Sequence, residues 1–301
     1  MVRITDVTLR DGLQQEAFLA NAKKAELMSR LVACGYDRLE ITSFANPKWV
    51  PQFQQAEEFC AQVLANPTGL PELMAFVPNS RGLERLLAFP IPWVSFFVSV
   101  SETFNRKNVN QSIIETLTEA AKVIQSARAA GRKIRLYVST VFGCPYEKAI
   151  AESQLQRVLG QAARLGADEI ALSDTIGVAL PSQVERVLGH FKKEFPIERT
   201  ALHMHDTYGL ALAGVLAGYR LGVRSFDGSS GGVGGCPYAK GASGNLATEK
   251  LAYAFYREGG LARFPETAIR NLLEWLGQEG LGLSSSIADI FKKGGTLYEV
   301  Q

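Results

Sequence analysis

Residues 169–228 read Glu169-Ile-Ala-Leu-Ser173, then a helical pattern over Ser182–Phe195, then Thr200-Ala-Leu-His-Met-His205, a second helical pattern over Leu210–Leu221, and Ser225-Phe-Asp-Gly228. Short apolar or β-branched runs read as strands, and longer segments with apolar residues three and four apart read as helices. Three strands separated by two helices form a parallel unit, because parallel neighbours need a crossover connection. Gly166 and Gly222 each stand just past a helical segment, where a left-handed residue ends it well, and Pro181-Ser182 opens another.

The same alternation extends to both ends of the chain. Further strand candidates are Arg3–Thr8, Arg38–Thr42, Leu73–Val77, Val94–Val100 and Ile134–Thr140, and further helix candidates are Ala22–Cys34, Gln55–Leu64, Ile113–Ala130 and Ser153–Leu165. Eight strand–helix repeats predict an α/β protein built as a closed (β/α)8 TIM barrel with additional C-terminal helices; an open doubly wound sheet is the alternative. No linker or composition break divides the chain, so one domain over 1–301 is expected, with the barrel over about 1–260 and a helical extension over about 261–301. The Gly/Ser-rich stretches Gly280–Ser286 and Gly294-Gly295 are expected to be loosely ordered.

Composition narrows the partners. An apolar content of 47%, a charged content of 21% and a net charge of +2 over 301 residues fit a globular protein and do not favour nucleic acid. No apolar run reaches membrane-spanning length, and Met1–Val7 lacks a signal-peptide core. Four scattered cysteines do not form a disulfide framework, and a reducing, cytoplasmic setting is expected.

In such a barrel, chemistry belongs at the C-terminal ends of the strands. The polar residues there are Arg10-Asp11, Glu40, Asn79, Asp174-Thr175, His203, His205, Asp206 and the loop Gly231–Asn245. Two of the three histidines in the chain sit two apart on one strand, and so face the same side. Neutral imidazoles bind first-row divalent metals, and Asp11, just past the first strand and so two strands away around a closed barrel, is the natural carboxylate to join them. The alternative is a pair of histidines satisfied by backbone hydrogen bonds. His190 lies in a helical pattern and reads as a surface residue. Arg10 is permanently charged and could hold a carbonyl oxygen as it becomes an enolate. Glu40 could orient a ligand, take a proton or simply pair with Arg10. The loop Gly231-Gly-Val-Gly-Gly-Cys-Pro-Tyr-Ala-Lys-Gly-Ala-Ser-Gly-Asn245 does not have P-loop spacing. It reads either as a phosphate cradle or as a lid carrying Cys236 for proton transfer, with Asn245 as a further ligand or a helix cap. Cys34, Cys60 and Cys144 are less suggestive, and the first two read as small core residues. Trp49, between two prolines, reads as pocket wall.

Together, Leu9-Arg-Asp-Gly-Leu-Gln-Gln-Glu16, Glu40-Ile-Thr-Ser-Phe-Ala-Asn-Pro-Lys-Trp-Val-Pro-Gln52, Tyr137-Val-Ser-Thr-Val-Phe-Gly-Cys-Pro-Tyr-Glu147, Leu172-Ser-Asp-Thr-Ile-Gly177, His203-Met-His-Asp-Thr-Tyr-Gly209 and the Cys236 loop closely resemble the 3-hydroxy-3-methylglutaryl-CoA lyase family of metal-dependent TIM-barrel lyases. The resemblance implies a divalent cation, Mg²⁺ or Mn²⁺ with Zn²⁺ as the alternative, held by Asp11, His203, His205 and Asn245. It implies Arg10 and Gln14 on the substrate, Cys236 in proton transfer, and Glu40 and Asp174 as supporting acids. The implied reaction cleaves a tertiary 3-hydroxyacyl-CoA to acetyl-CoA and acetoacetate, as in leucine degradation and ketone-body formation, by a homodimer. Thr8-Leu9 before Arg10, Ala17, Thr140 and Gly228-Ser-Ser-Gly231 depart from the pattern. They leave open a related acyl-CoA with another group at C3 and, further off, an acyl-CoA-condensing synthase. A non-catalytic barrel binding CoA or phosphate is the non-enzymatic alternative.

Overall fold

The computed structural model describes residues 1–234 and 244–298. Among them, eight strands run in chain order around a closed parallel barrel: β1 (Arg3–Asp6), β2 (Arg38–Ser43), β3 (Glu72–Phe76), β4 (Trp93–Ser99), β5 (Lys133–Ser139), β6 (Glu169–Asp174), β7 (Thr200–Met204) and β8 (Ser225–Gly228). β8 closes on β1 through the register Arg3↔Ser225 to Asp6↔Gly228. The covering helices are α1 (Asn21–Cys34), α2 (Ala56–Leu64), α3 (Ser80–Leu86), α4 (Glu102–Val109), α5 (Ile113–Ala129), α6 (Glu152–Arg164), α7 (Pro181–Phe191), α8 (Ala211–Arg220) and α9 (Thr248–Arg257), with α10 (Glu266–Gln278) and α11 (Ser286–Lys292) beyond the barrel.

The two faces of each strand have different chemistry, as the period of two requires. Outward residues such as Leu39, Ile41, Val94, Phe96, Val98, Leu136, Leu172, Leu202 and Phe226 form the apolar layer under the helices. The inward face carries only a small apolar cluster, Met74, Trp93, Tyr137, Ala171 and Ala201. Much of the remaining interior is ionic. Arg135 is 0% exposed and bonds Thr5 Oγ1 at 3.1 Å and Asp227 Oδ1 at 2.6 Å. Its guanidinium also lies 3.3 Å from Glu169, which takes Arg38 Nη1 at 2.8 Å. Arg38 stacks over Trp93 with 3.8 Å to the ring centroid. Buried charges persist only when paired, and each here has at least one opposite partner.

Gly35, Gly131, Gly166 and Gly222 all follow helices at positive φ, as the spacing predicts. Five expectations need correction. β1 ends at Asp6, and Thr8–Gly12 winds into one π-helical turn in which the N–H groups of Arg10, Asp11 and Gly12 all donate to the Val7 carbonyl. β7 ends at Met204, and His205 instead bridges to Asn245. α3 and α4 were not anticipated; Asn79 caps α3, accepting from Gly82 N at 2.9 Å, so this strand-end candidate is a helix cap. The Gly/Ser tail is ordered by packing: Ser284 bonds the Gly231 and Gly232 carbonyls, Ser285 caps α11, and Leu281, Ile287 and Phe291 are buried. Trp49 is 85% exposed and builds no wall. No helix among the described residues is long and apolar enough to cross a membrane.

Candidate metal centre and active site

The C-terminal mouth of the barrel gathers residues from both ends of the chain. The π-helical turn after β1 presents Arg10 and Asp11 side by side, π-bulges being frequent at functional positions. The turn is anchored from below: Thr8 Oγ1 accepts from Ser230 N at 2.7 Å, and the buried Asp6 carboxylate accepts from Thr8 N, Ser230 Oγ and Thr248 Oγ1. Across the β1–β8 seam, Gly234 has φ +102, and a Cβ there would lie 2.9 Å from Gly12 Cα and 3.0 Å from Asn245 Nδ2. Glycine is therefore what lets the backbone at position 234 pack against Gly12 and Asn245.

Asp11, His203 and His205 place ligand atoms within 4.8 Å of one another. Asp11 Oδ2 lies 3.9 Å from Nε2 of each histidine. Asn245 reaches the same oxygen with Nδ2 at 2.9 Å. An amide flip would present the Asn245 oxygen in place of its nitrogen. His205 Nδ1 is buried with no hydrogen-bond partner among the described residues. Two imidazoles, a carboxylate and an amide form a mixed nitrogen–oxygen set suited to a divalent cation with open positions, so the residues present fit such an ion.

Electrostatics prepare the donors. Burial pushes the Asp11 carboxyl up, but Arg10, His203 and His205 outweigh it and hold Asp11 well below the usual carboxylate range. Burial and the neighbouring His203 bring His205 down to about 4. The folded protein thus keeps His205 neutral where the unfolded chain, with its usual value of 6.5, protonates it. Between those values the unfolded state binds more protons, so the stability of the metal-free protein falls as pH drops from 6.5 towards 4. Melting temperatures of the metal-free protein should show this slope, and His205→Gln should flatten it; parallel profiles for the two proteins would refute the assignment.

Arg10 is clamped beside this cluster. Its Nε donates to Glu40 Oε2 at 2.5 Å, its Nη1 donates to Asp11 Oδ1 at 2.5 Å, and its guanidinium lies over the Phe76 and Tyr137 rings at 5.2 and 5.4 Å. Glu40 is 0% exposed and also accepts from Ser95 Oγ and Tyr137 OH. Its pairing with Arg10 was one of its readings from sequence. Burial alone would lower the Arg10 pKa, and Glu40 and Asp11 raise it, so the guanidinium is a fixed cation at the mouth.

The other candidates are placed less centrally. Gln14 is half-buried in the 3₁₀ turn Leu13–Gln15 that follows Asp11. One oxygen of the Asp174 carboxylate accepts from Ala179 N at 2.8 Å, and its backbone carbonyl takes the His205 N–H at 3.2 Å. Asp174 therefore shapes the β6–α7 loop and holds His205 through the main chain. His190 is a surface residue 3.4 Å from Glu152. Cys34 and Cys60 are buried, and burial lifts both thiols to about 12; Cys144 is buried as well. Cys236 and Lys240 lie outside the described residues.

Sequence reasoning missed Asp227. Its Oδ2 lies 3.1 Å from His203 Nδ1, and its other oxygen holds Arg135. Burial raises its pKa, but Arg135 and His203 overcome this and lower it. The only available signal was a carboxylate inside a four-residue strand, and its partner depends on the register His203↔Asp227.

The chain as a whole resembles known proteins. The HMGL-like family model matches residues 1–275. A hydroxymethylglutaryl-CoA lyase of Bacillus subtilis is 44% identical over 253 residues, 84% of each chain. A 3-hydroxy-3-isohexenylglutaryl-CoA/hydroxymethylglutaryl-CoA lyase of Pseudomonas aeruginosa is 40% identical over 253 residues, again 84% of each. The crystal structure of a Bacillus subtilis HMG-CoA lyase superposes with a TM-score of 0.92 at 40% identity, covering 97% of this chain and 98% of the other. The barrel, the lyase relatives and the family match agree: the chain belongs to the HMGL-like family, among the hydroxymethylglutaryl-CoA lyases.

Proposed function

We propose that this lyase cleaves 3-hydroxy-3-methylglutaryl-CoA to acetyl-CoA and acetoacetate, with Mg²⁺ or Mn²⁺ held by Asp11, His203, His205 and Asn245. The observation that carries the reading is the convergence of Arg10 on that donor set at one barrel mouth, in a chain 44% identical to a relative of that name. A cation held by these residues would supply Lewis acidity toward the substrate's oxygens.

The remaining chemistry falls to side chains. The 3-hydroxyl gives its proton to water, C3 becomes a ketone as the C2–C3 bond breaks, and that bond's electron pair leaves on the thioester enolate; the proton later added at C2 restores the balance. Arg10, already desolvated and fixed by Glu40, offers N–H donors to that developing negative oxygen without reorganising. The Cys236 thiol is proposed to return a proton to C2, and Gln14 to contact substrate. Glu40 and Asp174 act in support, Glu40 through Arg10 and Asp174 through the backbone at His205. Residues 1–301 are proposed to work as one unit, a barrel over about 1–260 with its helical extension, in a cytoplasmic homodimer.

The purified protein incubated with this thioester and Mg²⁺ or Mn²⁺ should release acetyl-CoA, and a chelator should stop the release. A chelator-insensitive protein would remove the metal-dependent reading. A second substrate reading has its own support. The Pseudomonas relative is named for a thioester with a longer C3 group, and Ala17 and Thr140 depart from the usual lyase pattern. A metal-loaded protein inert toward the methyl substrate but active on a longer homologue would favour it.

A further inference from the structure

Asp227 and Arg135 have no part in the chemistry above, yet they are bonded directly behind a proposed cation ligand. The strand register sets His203 beside Asp227, and Asp227 Oδ2 lies 3.1 Å from His203 Nδ1 while Nε2 faces Asp11. The other Asp227 oxygen accepts from Arg135 Nη2 at 2.6 Å. Arg135 is itself immobilised by Thr5 Oγ1 at 3.1 Å and by Glu169 at 3.3 Å, and Glu169 is held by Arg38 at 2.8 Å. Every member of this chain of contacts is buried, so none can turn to water as an alternative partner.

The consequence concerns which ring nitrogen carries the proton. A neutral imidazole has one donor and one acceptor nitrogen, and the hydrogen bond at one nitrogen sets the role of the other. A carboxylate fixed at Nδ1 accepts and cannot donate, so Nδ1 carries the hydrogen and the lone pair stands on Nε2. We propose that Asp227, locked in place by Arg135, is a positioning residue that holds His203 in its Nδ1–H form with Nε2 presented to the cation. The ionic interior of the barrel thus extends to the metal site through a pairing across the β7–β8 register. This rests on the reading of His203 as a cation ligand.

The chain has three histidines, so ¹⁵N-labelled imidazole signals can be followed one by one. In the metal-free wild type above pH 8, His203 should show a protonated Nδ1 and an unprotonated Nε2. Asp227→Asn removes the charge and should let the two tautomers mix. It should also weaken Mn²⁺ binding, measured by titration, by about 10–100-fold, as loss of an outer-shell partner does. Because Asp227→Asn leaves Arg135 partly unpaired, the charge-balanced double variant Arg135→Met/Asp227→Asn provides a second route: it keeps the Glu169–Arg38 pair and should fold while showing the same tautomer mixing and the same loss of affinity. An unchanged tautomer with Mn²⁺ affinity within about twofold of wild type in a folded variant would overturn the proposal. Wild type that binds no divalent ion, with His203 still in the Nδ1–H form, would instead refute the metal-site reading and leave the positioning geometry intact.

Discussion

Arg10→Met should lower turnover by about 10²–10³-fold, the cost typical of losing a preorganised oxyanion donor, and should destabilise the fold by about 3–5 kcal/mol. The second effect arises because Glu40 is wholly buried and Arg10 is its opposite charge. Removing one partner of a buried pair leaves the other uncompensated. The two effects can be separated. Glu40→Gln on the Arg10→Met background removes the stranded charge while keeping an acceptor for Ser95 and Tyr137, so melting should recover much of the loss. Turnover should not recover, since no cation faces the enolate oxygen. Metal content should survive in both variants, because the ligand set is untouched. Thermal melts, metal analysis and steady-state kinetics on the three proteins test this together; recovery of turnover in the double variant would show that Arg10 acts only through stability.

Asp11→Asn should produce the opposite pattern. The amide keeps the shape of the side chain and one acceptor oxygen, so the fold should change little at a residue whose side chain is 22% exposed. The negative charge that draws a cation is gone. Metal affinity should fall by more than the roughly 10–100-fold that an outer-shell change costs, because the proposal makes Asp11 a direct ligand. Turnover should fall by about 10³-fold or more, corresponding to several kcal/mol of lost Lewis-acid stabilisation. Excess Mn²⁺ should restore part of the activity of Asp11→Asn and none of that of Arg10→Met. If Asp11→Asn binds Mn²⁺ like wild type, Asp11 is not a ligand.

The barrel was legible because its signal is local. Strand and helix periods, and glycines such as Gly35 and Gly222 just past the helices, are read from neighbouring residues. The histidine pair was legible for the same reason, since positions 203 and 205 share a face by alternation alone. What escaped depends on register and tertiary contact. Asp227 meets His203 only because β7 and β8 pair in one register. The π-helical turn at Thr8–Gly12 extended the predicted strand falsely, because its apolar, β-branched start resembles β1; the Ser230 N–H and the Asp6 carboxylate bend it instead. α4 has little apolar periodicity in Glu102–Val109 and is fixed by the Ser101 cap. The tail from Gly280 looked loose by composition and is ordered by Ser284 bonding the glycine loop, a contact fifty residues away in sequence that no window can see.

The ionic interior has a consequence for how this protein could be made more robust. In many proteins a buried ion pair can be exchanged for well-packed apolar residues at no loss, and often with a gain. Here, filling the positions of Arg135, Glu169 and Asp227 with Met, Leu and Ile would disconnect the bracket behind His203. Thermostabilising changes should therefore be confined to the outward layer and the helices, where Leu202 and Phe226 belong to the apolar core outside the ionic interior. Selection for heat resistance applied to the interior would trade cation retention for melting temperature, and variants from such a screen should be sorted by metal content before activity is compared.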